Sequence, residues 1–123
     1  MRLLLDTHIM LWWLANDARL SKGHRELIAD GTNAVFVSSV SIAEISIKAS
    51  LGKLDVPGPL QPAVTSSGFE ILSFSAAEAE KLRDMPWHHH DPFDRMLIAQ
   101  ASAEGLALVT VDERIREYDV EWV

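Results

Sequence analysis

The sequence predicts an α/β fold of three layers, with helices on both faces of a mostly parallel sheet of four or five strands. Short apolar runs rich in Leu, Val and Phe alternate along the chain with segments in which apolar residues recur at helical spacing. The connections between these segments are short, as in folds whose parallel strands are joined by helices. The length of 123 residues suits one domain, residues 1–123.

Two strands and three helices are predicted in the first half of the chain. The strands are residues 2–5 and 34–37, which are apolar and short enough to be buried in a sheet. The helices are residues 9–14, 21–30 and 41–50. A glycine stands just beyond the second and third of these helices, where it can end a helix at little conformational cost.

The second half contains the strongest helix prediction of the chain. Residues 91–104 open with an Asp-Pro pair and end before Gly105, which is typical of a helix start and a helix end. The other predicted helices are residues 60–66, 75–84 and 113–117. The predicted strands are residues 69–72, 106–109 and, as a candidate fifth strand, 120–122.

Composition excludes several classes of protein. The chain has no cysteine, which rules out disulfide scaffolds, zinc–thiolate sites and thiol nucleophiles, and which fits a reducing cytoplasm. The apolar run at the N-terminus is interrupted at Asp6, unlike the longer apolar core of a secretory signal, so we expect a cytoplasmic location. With 48% hydrophobic and 24% charged residues, the composition is that of a water-soluble protein without a membrane span.

The formal net charge of −7 would ordinarily argue against a nucleic-acid partner, because binding to phosphates depends on Lys and Arg. The total charge misleads where acidic residues hold divalent cations, since a bound metal is often the largest local charge in its site. Four of the acidic residues are candidates for that role. They are Asp6, Glu44, Asp94 and Asp112.

Each of these four acids stands where an apolar run gives way to a predicted helix start, which in an α/β chain means one end of one sheet. Two carboxylates about 4 Å apart repel each other by roughly 4 kcal/mol at an effective dielectric constant of 20, so a cluster of them needs a cation. Hard carboxylate ligands without cysteine favour Mg²⁺ or Mn²⁺. The pattern therefore predicts a magnesium or manganese site.

Most acids near this end of the sheet also have a structural explanation. Ser41 followed by Glu44 matches a capping box, and Asp91 before a proline matches a helix N-cap. Asp6 and Asp112 could likewise cap short helices. Asp94 differs, because it lies on the same face of its predicted helix as the apolar residues Leu97 and Ile98. A charge that points towards the core is costly unless it is paired or bound to metal. A structural ion pair is the alternative for Asp94.

Two further groups of residues have weaker functional interpretations. The three consecutive histidines of residues 88–90 could suggest zinc, but sequence neighbours point in different directions and helical HxxxH spacing is absent. The four tryptophans are more typical of core or interface anchors than of platforms for stacking nucleobases.

The motifs together resemble a PIN-domain ribonuclease, and most of all the VapC-type toxins of bacterial type II toxin–antitoxin modules. The resemblance extends over essentially the whole chain, and its Asp-Pro-Phe-Asp-Arg segment is specific. The segments are Leu4-Leu5-Asp6-Thr7-His8, Ser41-Ile42-Ala43-Glu44-Ile45, Asp91-Pro92-Phe93-Asp94-Arg95 and Val109-Thr110-Val111-Asp112.

The resemblance implies a PIN-like fold and a catalytic quartet at four positions. These positions are Asp6, Glu44, Asp94 and Asp112. Asp6 and Asp94 are the first choice for direct metal ligands, with Glu44 and Asp112 as further candidates that could also orient the attacking water. Mg²⁺ is the expected cofactor, with Mn²⁺ as a substitute, and RNA is the expected substrate, cut to leave 5′-phosphate and 3′-hydroxyl ends.

Three supporting residues and two protein partners are also implied. Thr110 matches a recurrent Thr or Ser two residues before the last acid, while Asp91 either caps its helix or assists the site. Arg95 is expected to contact phosphate or to pair with a carboxylate, and Lys48, Lys53 and Arg114 could also guide phosphate. The implied partners are a cognate antitoxin and a second copy of the chain within a toxin–antitoxin complex.

Two other functions stay open at this point. An apolar strand ending in Asp6 also resembles the start of a phosphoaspartyl phosphatase site, although His8 stands where such enzymes have a second Asp. A binding module without catalysis would use the acids only as helix caps and its apolar surface to hold a partner.

Overall fold

The computed structural model describes all 123 residues, and its sheet has four strands that pair only in parallel. The strands, in the spatial order β3-β2-β1-β4, are β1 (Arg2–Leu5), β2 (Ala34–Ser38), β3 (Glu70–Leu72) and β4 (Ala107–Val109). The predicted α/β class with a mostly parallel sheet is confirmed. Because β4 returns to the far side of β1, the strand order reverses between β1 and the edge strand β4.

Six α-helices and two short 3₁₀ turns connect the strands. The helices are α1 (Thr7–Leu14), α2 (Lys22–Ala29), α3 (Ser39–Ser50), α4 (Leu60–Ser66), α5 (Ala76–Glu80) and α6 (Pro92–Glu104). The 3₁₀ turns cover Lys81–Asp84 and Ile115–Glu117. None of the helices is long and apolar enough to cross a membrane.

Alternating side chains of the strands build a core on each face of the sheet. Leu3 and Leu5 point into one apolar cluster, which also contains residues of α1, α2, α3 and α4. Leu4 points into the other cluster, which contains the inner face of α6. This alternation gives the three layers that the sequence predicted, with the sheet in the middle.

Two predicted elements are shorter than expected. The helix predicted over 75–84 is α-helical only to Glu80 and continues as a 3₁₀ turn. This turn stops at Asp84, because Met85 precedes Pro86 and is extended, as the residue before a proline is disfavoured in the helical conformation. The candidate fifth strand is a single bridge between Trp122 and Leu108, held by the Leu108 amide donating to the Glu121 carbonyl at 2.8 Å. The sheet therefore has four strands, and Trp122 is bridged to β4 without forming a fifth.

The helix that carries Glu44 starts earlier than the sequence predicted. Ser38 is the N-cap of α3, and its hydroxyl accepts a hydrogen bond from the Val40 amide at 3.0 Å. Ser41 lies inside the helix and is fully buried, so the predicted capping box between Ser41 and Glu44 is wrong. The helix is capped by Ser38 and not by Ser41, because Ser38 is the last residue of β2 and α3 begins directly after it.

Candidate metal centre

The candidate site lies at the carboxyl ends of the neighbouring strands β1 and β4. Asp6 directly follows β1, Asp112 comes three residues after β4, and the strand order reverses between these strands. Ligands of open α/β sheets bind in the crevice at such a reversal. Glu44 on α3 and Asp94 in the first turn of α6 approach the same crevice. The charge of Glu44 adds to burial in raising the pKa of Asp94, and the hydrogen bond to Glu44, together with the charge of Asp94, raises the pKa of Lys48.

Asp6 is almost completely buried, with 2% of the residue exposed. The Thr110 hydroxyl donates to Asp6 Oδ2 at 2.8 Å, and the His8 amide donates to Oδ1 at 3.4 Å, as expected of a helix cap. Burial raises the pKa of Asp6, and these hydrogen bonds offset only part of the rise. Asp6 therefore serves as a cap for α1, and its buried carboxylate pairs with no Lys or Arg.

Glu44 is also buried and has one oxygen without a partner. Its Oε2 atom accepts a hydrogen bond from Lys48 Nζ, one helical turn further on. Its Oε1 atom is buried and accepts no hydrogen bond. An unpartnered buried carboxylate oxygen is costly, so Oε1 is a candidate ligand atom for a cation.

Asp94 points inward, as its position on the helical stripe predicted. Its side chain is 14% exposed, and it follows the same face of α6 as the buried residues Leu97 and Ile98. Burial, together with the negative charges of Asp6 and other acids around it, raises the pKa of Asp94 to about 8. No Lys or Arg pairs with it, and its one basic partner is His89, 3.0 Å away, which forms the alternative structural ion pair only when its ring is protonated.

Asp112 is the most exposed member of the quartet, with 34% of its side chain exposed. Burial alone would raise the pKa of Asp112, but hydrogen bonds from His89 and from the Arg114 amide bring it below the ordinary value. The Asp112 amide also donates to the Thr110 hydroxyl at 3.0 Å. One hydroxyl thus links Asp112, after β4, to Asp6, after β1.

The sequence prediction missed His89 as a member of this site. His89 Nε2 lies 3.0 Å from Asp94 Oδ2 and 3.0 Å from Asp112 Oδ2, and the three atoms lie within 4.8 Å of one another. The other two histidines point elsewhere, since His88 faces Glu117 and His90 stacks on Trp87. The only signal in the sequence was the position of a histidine two residues before the helix N-cap.

The supporting residues take different places. Asp91 is the N-cap of α6, where its Oδ1 atom accepts hydrogen bonds from the Phe93 amide at 2.8 Å and the Asp94 amide at 3.2 Å. Arg95 is 4% exposed and pairs with no carboxylate, so neither role expected for it finds support. Its guanidinium instead donates to backbone carbonyls of the connector before α6, including Pro86 at 2.8 Å.

The donor set fits a hard divalent cation. Asp94 lies close enough to Asp6, Asp91, Glu44 and Asp112 for each of their charges to raise its pKa. Among basic side chains, only Lys48 and His89 bind these acids, and Glu44 Oε1 has no partner at all. Carboxylate oxygens of this kind are the ligands of Mg²⁺ and Mn²⁺.

The sequence profile of the PIN domain matches residues 3–121. The chain belongs to the PIN domain family. This assignment agrees with the position of the acids at the ends of β1 and β4. It also removes the support for the phosphatase alternative, which expects a second Asp at the position where this PIN domain has His8.

Named relatives agree with the family. This PIN domain is 30% identical over 120 residues to Ribonuclease VapC22 of Mycobacterium tuberculosis (strain ATCC 25618 / H37Rv), covering 94% of this chain and 90% of the relative. It is similar in fold to VapBC2 of Rickettsia felis bound to a promoter DNA fragment, with a TM-score of 0.74 at 20% identity, covering 100% and 98% of the two chains. It also matches Mycobacterium tuberculosis VapC20, a sarcin-ricin loop cleaving toxin, with a TM-score of 0.63 at 14% identity over 96% and 95%.

Thr110→Val should lower the affinity of this PIN domain for Mn²⁺ by about 10-fold or more, as is usual when a residue that orients a metal ligand is removed. The reason is that the hydroxyl donates to Asp6 and accepts from the Asp112 amide, and valine has the same shape without either bond. Isothermal titration calorimetry measures the affinity. Thr110→Ser, which keeps the hydroxyl, is the matched control, and equal losses in both variants would contradict the prediction.

Proposed function

We propose that this PIN domain is a Mg²⁺- or Mn²⁺-dependent endoribonuclease and the toxin of a type II toxin–antitoxin module. The observation that carries the proposal is the convergence of acids at the strand reversal, where burial and the charges of the neighbouring acids raise the pKa of Asp94 to about 8. The named ribonuclease relative and the cleaving toxin with the same fold support RNA as the substrate.

Within this proposal, Asp6 and Asp94 are the principal metal ligands, and Glu44 and Asp112 complete the set. A bound Mg²⁺ supplies polarisation of the attacking water and charge neutralisation on the phosphoryl oxygens. Thr110 fixes the direction of the Asp6 carboxylate. Glu44 Oε1, which has no partner in the protein, is free to orient the water or to hold the cation.

The reaction is hydrolysis of an RNA phosphodiester. Water attacks the phosphorus atom in line with the bond to the 3′-oxygen, that bond breaks, and the 3′-oxygen takes up a proton. The products carry a 5′-phosphate and a 3′-hydroxyl. The exposed basic residues Lys53 and Arg114 are the candidates for guiding the phosphate backbone, because Arg95 is buried and Lys48 already pairs with Glu44.

The proposed protein partners are a cognate antitoxin and a second copy of the chain. The similarity in fold to the VapBC2 complex supports the antitoxin. An apolar groove between α1 and α4, lined by Leu11, Leu14, Val56 and Leu60, offers such a partner a surface. The lack of cysteine supports a cytoplasmic location for this complex.

The direct test is incubation of the purified chain with ribosomal, transfer and messenger RNA, followed by mapping of the new ends. We expect cleavage in Mg²⁺ or Mn²⁺, none in EDTA, and recovery when the metal is restored. Addition of the product of the neighbouring gene should suppress cleavage. Cleavage that is unchanged in EDTA, or no cleavage of any of these RNAs in either metal, would contradict the proposal.

A further inference from the structure

The middle histidine of residues 88–90 lies inside the acidic site although neither of its neighbours does. The His89 side chain is 6% exposed, compared with 42% for His88. Its Nε2 atom lies 3.0 Å from both Asp94 Oδ2 and Asp112 Oδ2. A single ring nitrogen therefore stands between two carboxylates that come from different elements, α6 and the segment after β4.

The second ring nitrogen determines what the first can do. The Asp91 amide donates to His89 Nδ1 at 3.1 Å. A backbone amide can only donate, so Nδ1 presents its lone pair and the proton of the uncharged ring is on Nε2. That proton is donated to Asp112 Oδ2, and Asp94 Oδ2 lies at the same distance of 3.0 Å from Nε2. A histidine that binds a metal through Nε2 would need the opposite form, with a lone pair on Nε2 and the proton on Nδ1.

We propose that His89 is a positioning residue for the metal centre, which donates a hydrogen bond to Asp112, keeps the Asp94 carboxylate beside it and is not itself a metal ligand. This inference takes only one thing from the proposed function, which is that the cation is Mg²⁺ or Mn²⁺. It adds to the four acids a fifth side chain, which keeps two of them in place while no cation is bound.

The backbone of His89 is fixed independently of the acids. The His89 amide donates to Tyr118 Oη at 3.0 Å, and Tyr118 Oη donates to the Pro86 carbonyl at 2.7 Å. Arg95 also donates to Tyr118 Oη, at 3.1 Å, so the connector is tied to the body of α6. The position of the ring is thus set by buried contacts that do not involve the carboxylates.

Two substitutions separate the two hydrogen bonds of the ring. His89→Gln places an N–H donor near the position of Nε2, where it reaches the carboxylates, but moves no acceptor to the Asp91 amide. His89→Asn places an acceptor near the position of Nδ1, beside the Asp91 amide, but is too short to reach the carboxylates. If His89 acts only on the connector, its important bond is the one that Nδ1 accepts from the Asp91 amide. If His89 positions the acids, its important bond is the one that Nε2 donates to the carboxylate side.

Calorimetric titration of the metal-free protein with Mn²⁺, together with melting temperatures, distinguishes these roles. We expect His89→Asn to lose about 10–100-fold in Mn²⁺ affinity at a near-normal melting temperature, the usual range for residues that orient metal ligands. We expect His89→Gln to retain the affinity to within about 3-fold despite a lower melting temperature. His90→Gln, which changes an exposed neighbour, is the matched control and should bind as the natural chain does.

The opposite order, with normal affinity in His89→Asn and a loss in His89→Gln, would overturn the proposal. Failure of the natural chain to bind Mn²⁺ would overturn it as well. Binding of Mn²⁺ with the expected order of variants, but without cleavage of any RNA, would contradict only the proposed function.

Nitrogen-15 NMR of the imidazole tests the donor assignment directly. We expect the proton of His89 to be on Nε2 in the metal-free protein and to remain there after addition of Mg²⁺. A proton on Nδ1 in the metal-free protein, or a change of Nε2 to the lone-pair form when Mg²⁺ binds, would show that His89 is a ligand and would overturn the proposal.

Discussion

Asp94→Asn should reduce RNA cleavage at least about 1000-fold while making the metal-free protein more stable, because the lost group serves charge stabilisation and not packing. Asparagine has almost the same shape as the aspartate side chain but no charge. Burial and the surrounding acids hold the pKa of Asp94 at about 8, so removal of its charge relieves repulsion that the fold otherwise tolerates. Loss of activity together with a gain in stability is uncommon for a core substitution.

The gain in stability should depend on pH. Between the ordinary carboxyl pKa of 3.8 and about 8, the folded chain holds a proton on Asp94 that the unfolded chain has lost. The stability of the metal-free protein therefore falls as pH rises through this interval, by up to about 1.4 kcal/mol per pH unit. We expect the melting temperature of the natural chain to drop by about 5 °C or more between pH 5 and pH 8, and the drop to be much smaller in Asp94→Asn.

Asp91→Asn is the matched control for Asp94→Asn. Asp91 is also acidic and also lies at the start of α6, but its carboxylate caps the helix, and asparagine is as good a cap. We expect Asp91→Asn to keep cleavage to within about 10-fold of the natural chain, as for a change that removes no metal ligand. Two results would count against the role given to Asp94. One is retained cleavage in Asp94→Asn, and the other is an equal pH dependence of the melting temperature in Asp94→Asn and the natural chain.

Arg95→Met should destabilise the protein by about 3 kcal/mol or more, because it removes a buried charged donor that binds several partly buried acceptors at once. The Arg95 guanidinium donates to the carbonyls of Pro86 at 2.8 Å and Leu82 at 3.2 Å and to Tyr118 Oη at 3.1 Å. It also lies 3.7 Å from the ring centre of Trp87, a cation–π contact. Methionine keeps the apolar stem but satisfies none of these groups.

Urea denaturation measures this loss, with Arg83→Met as the control because Arg83 is exposed on the preceding 3₁₀ turn. A change below about 1 kcal/mol in Arg95→Met would mean that water replaces the guanidinium at these carbonyls. We also expect weaker Mn²⁺ binding in Arg95→Met, since the connector that Arg95 holds carries His89.

The fold and part of the site follow from local patterns, and the remainder depends on contacts that no local pattern encodes. The inward direction of Asp94 follows from helical spacing, because Leu97 and Ile98 show which face of α6 is buried. The roles of His89 and Arg95 do not follow, since both are set by the turn between Pro86 and Asp91 and by Tyr118, far away in the sequence. The start of α3 was misplaced because two serines offered competing caps.

The bond between Thr110 and Asp6 joins residues that are 104 positions apart in the chain. During synthesis, Asp6 is made well before its partners on and after β4, because every α-helix of the fold lies between them in the sequence. A growing chain that has not yet reached β4 therefore has no assembled site, whatever its upstream helices have done. If the protein is the toxin proposed here, copies that stop before β4 are harmless to the cell that makes them, and the hazard begins only when β4 has paired with β1.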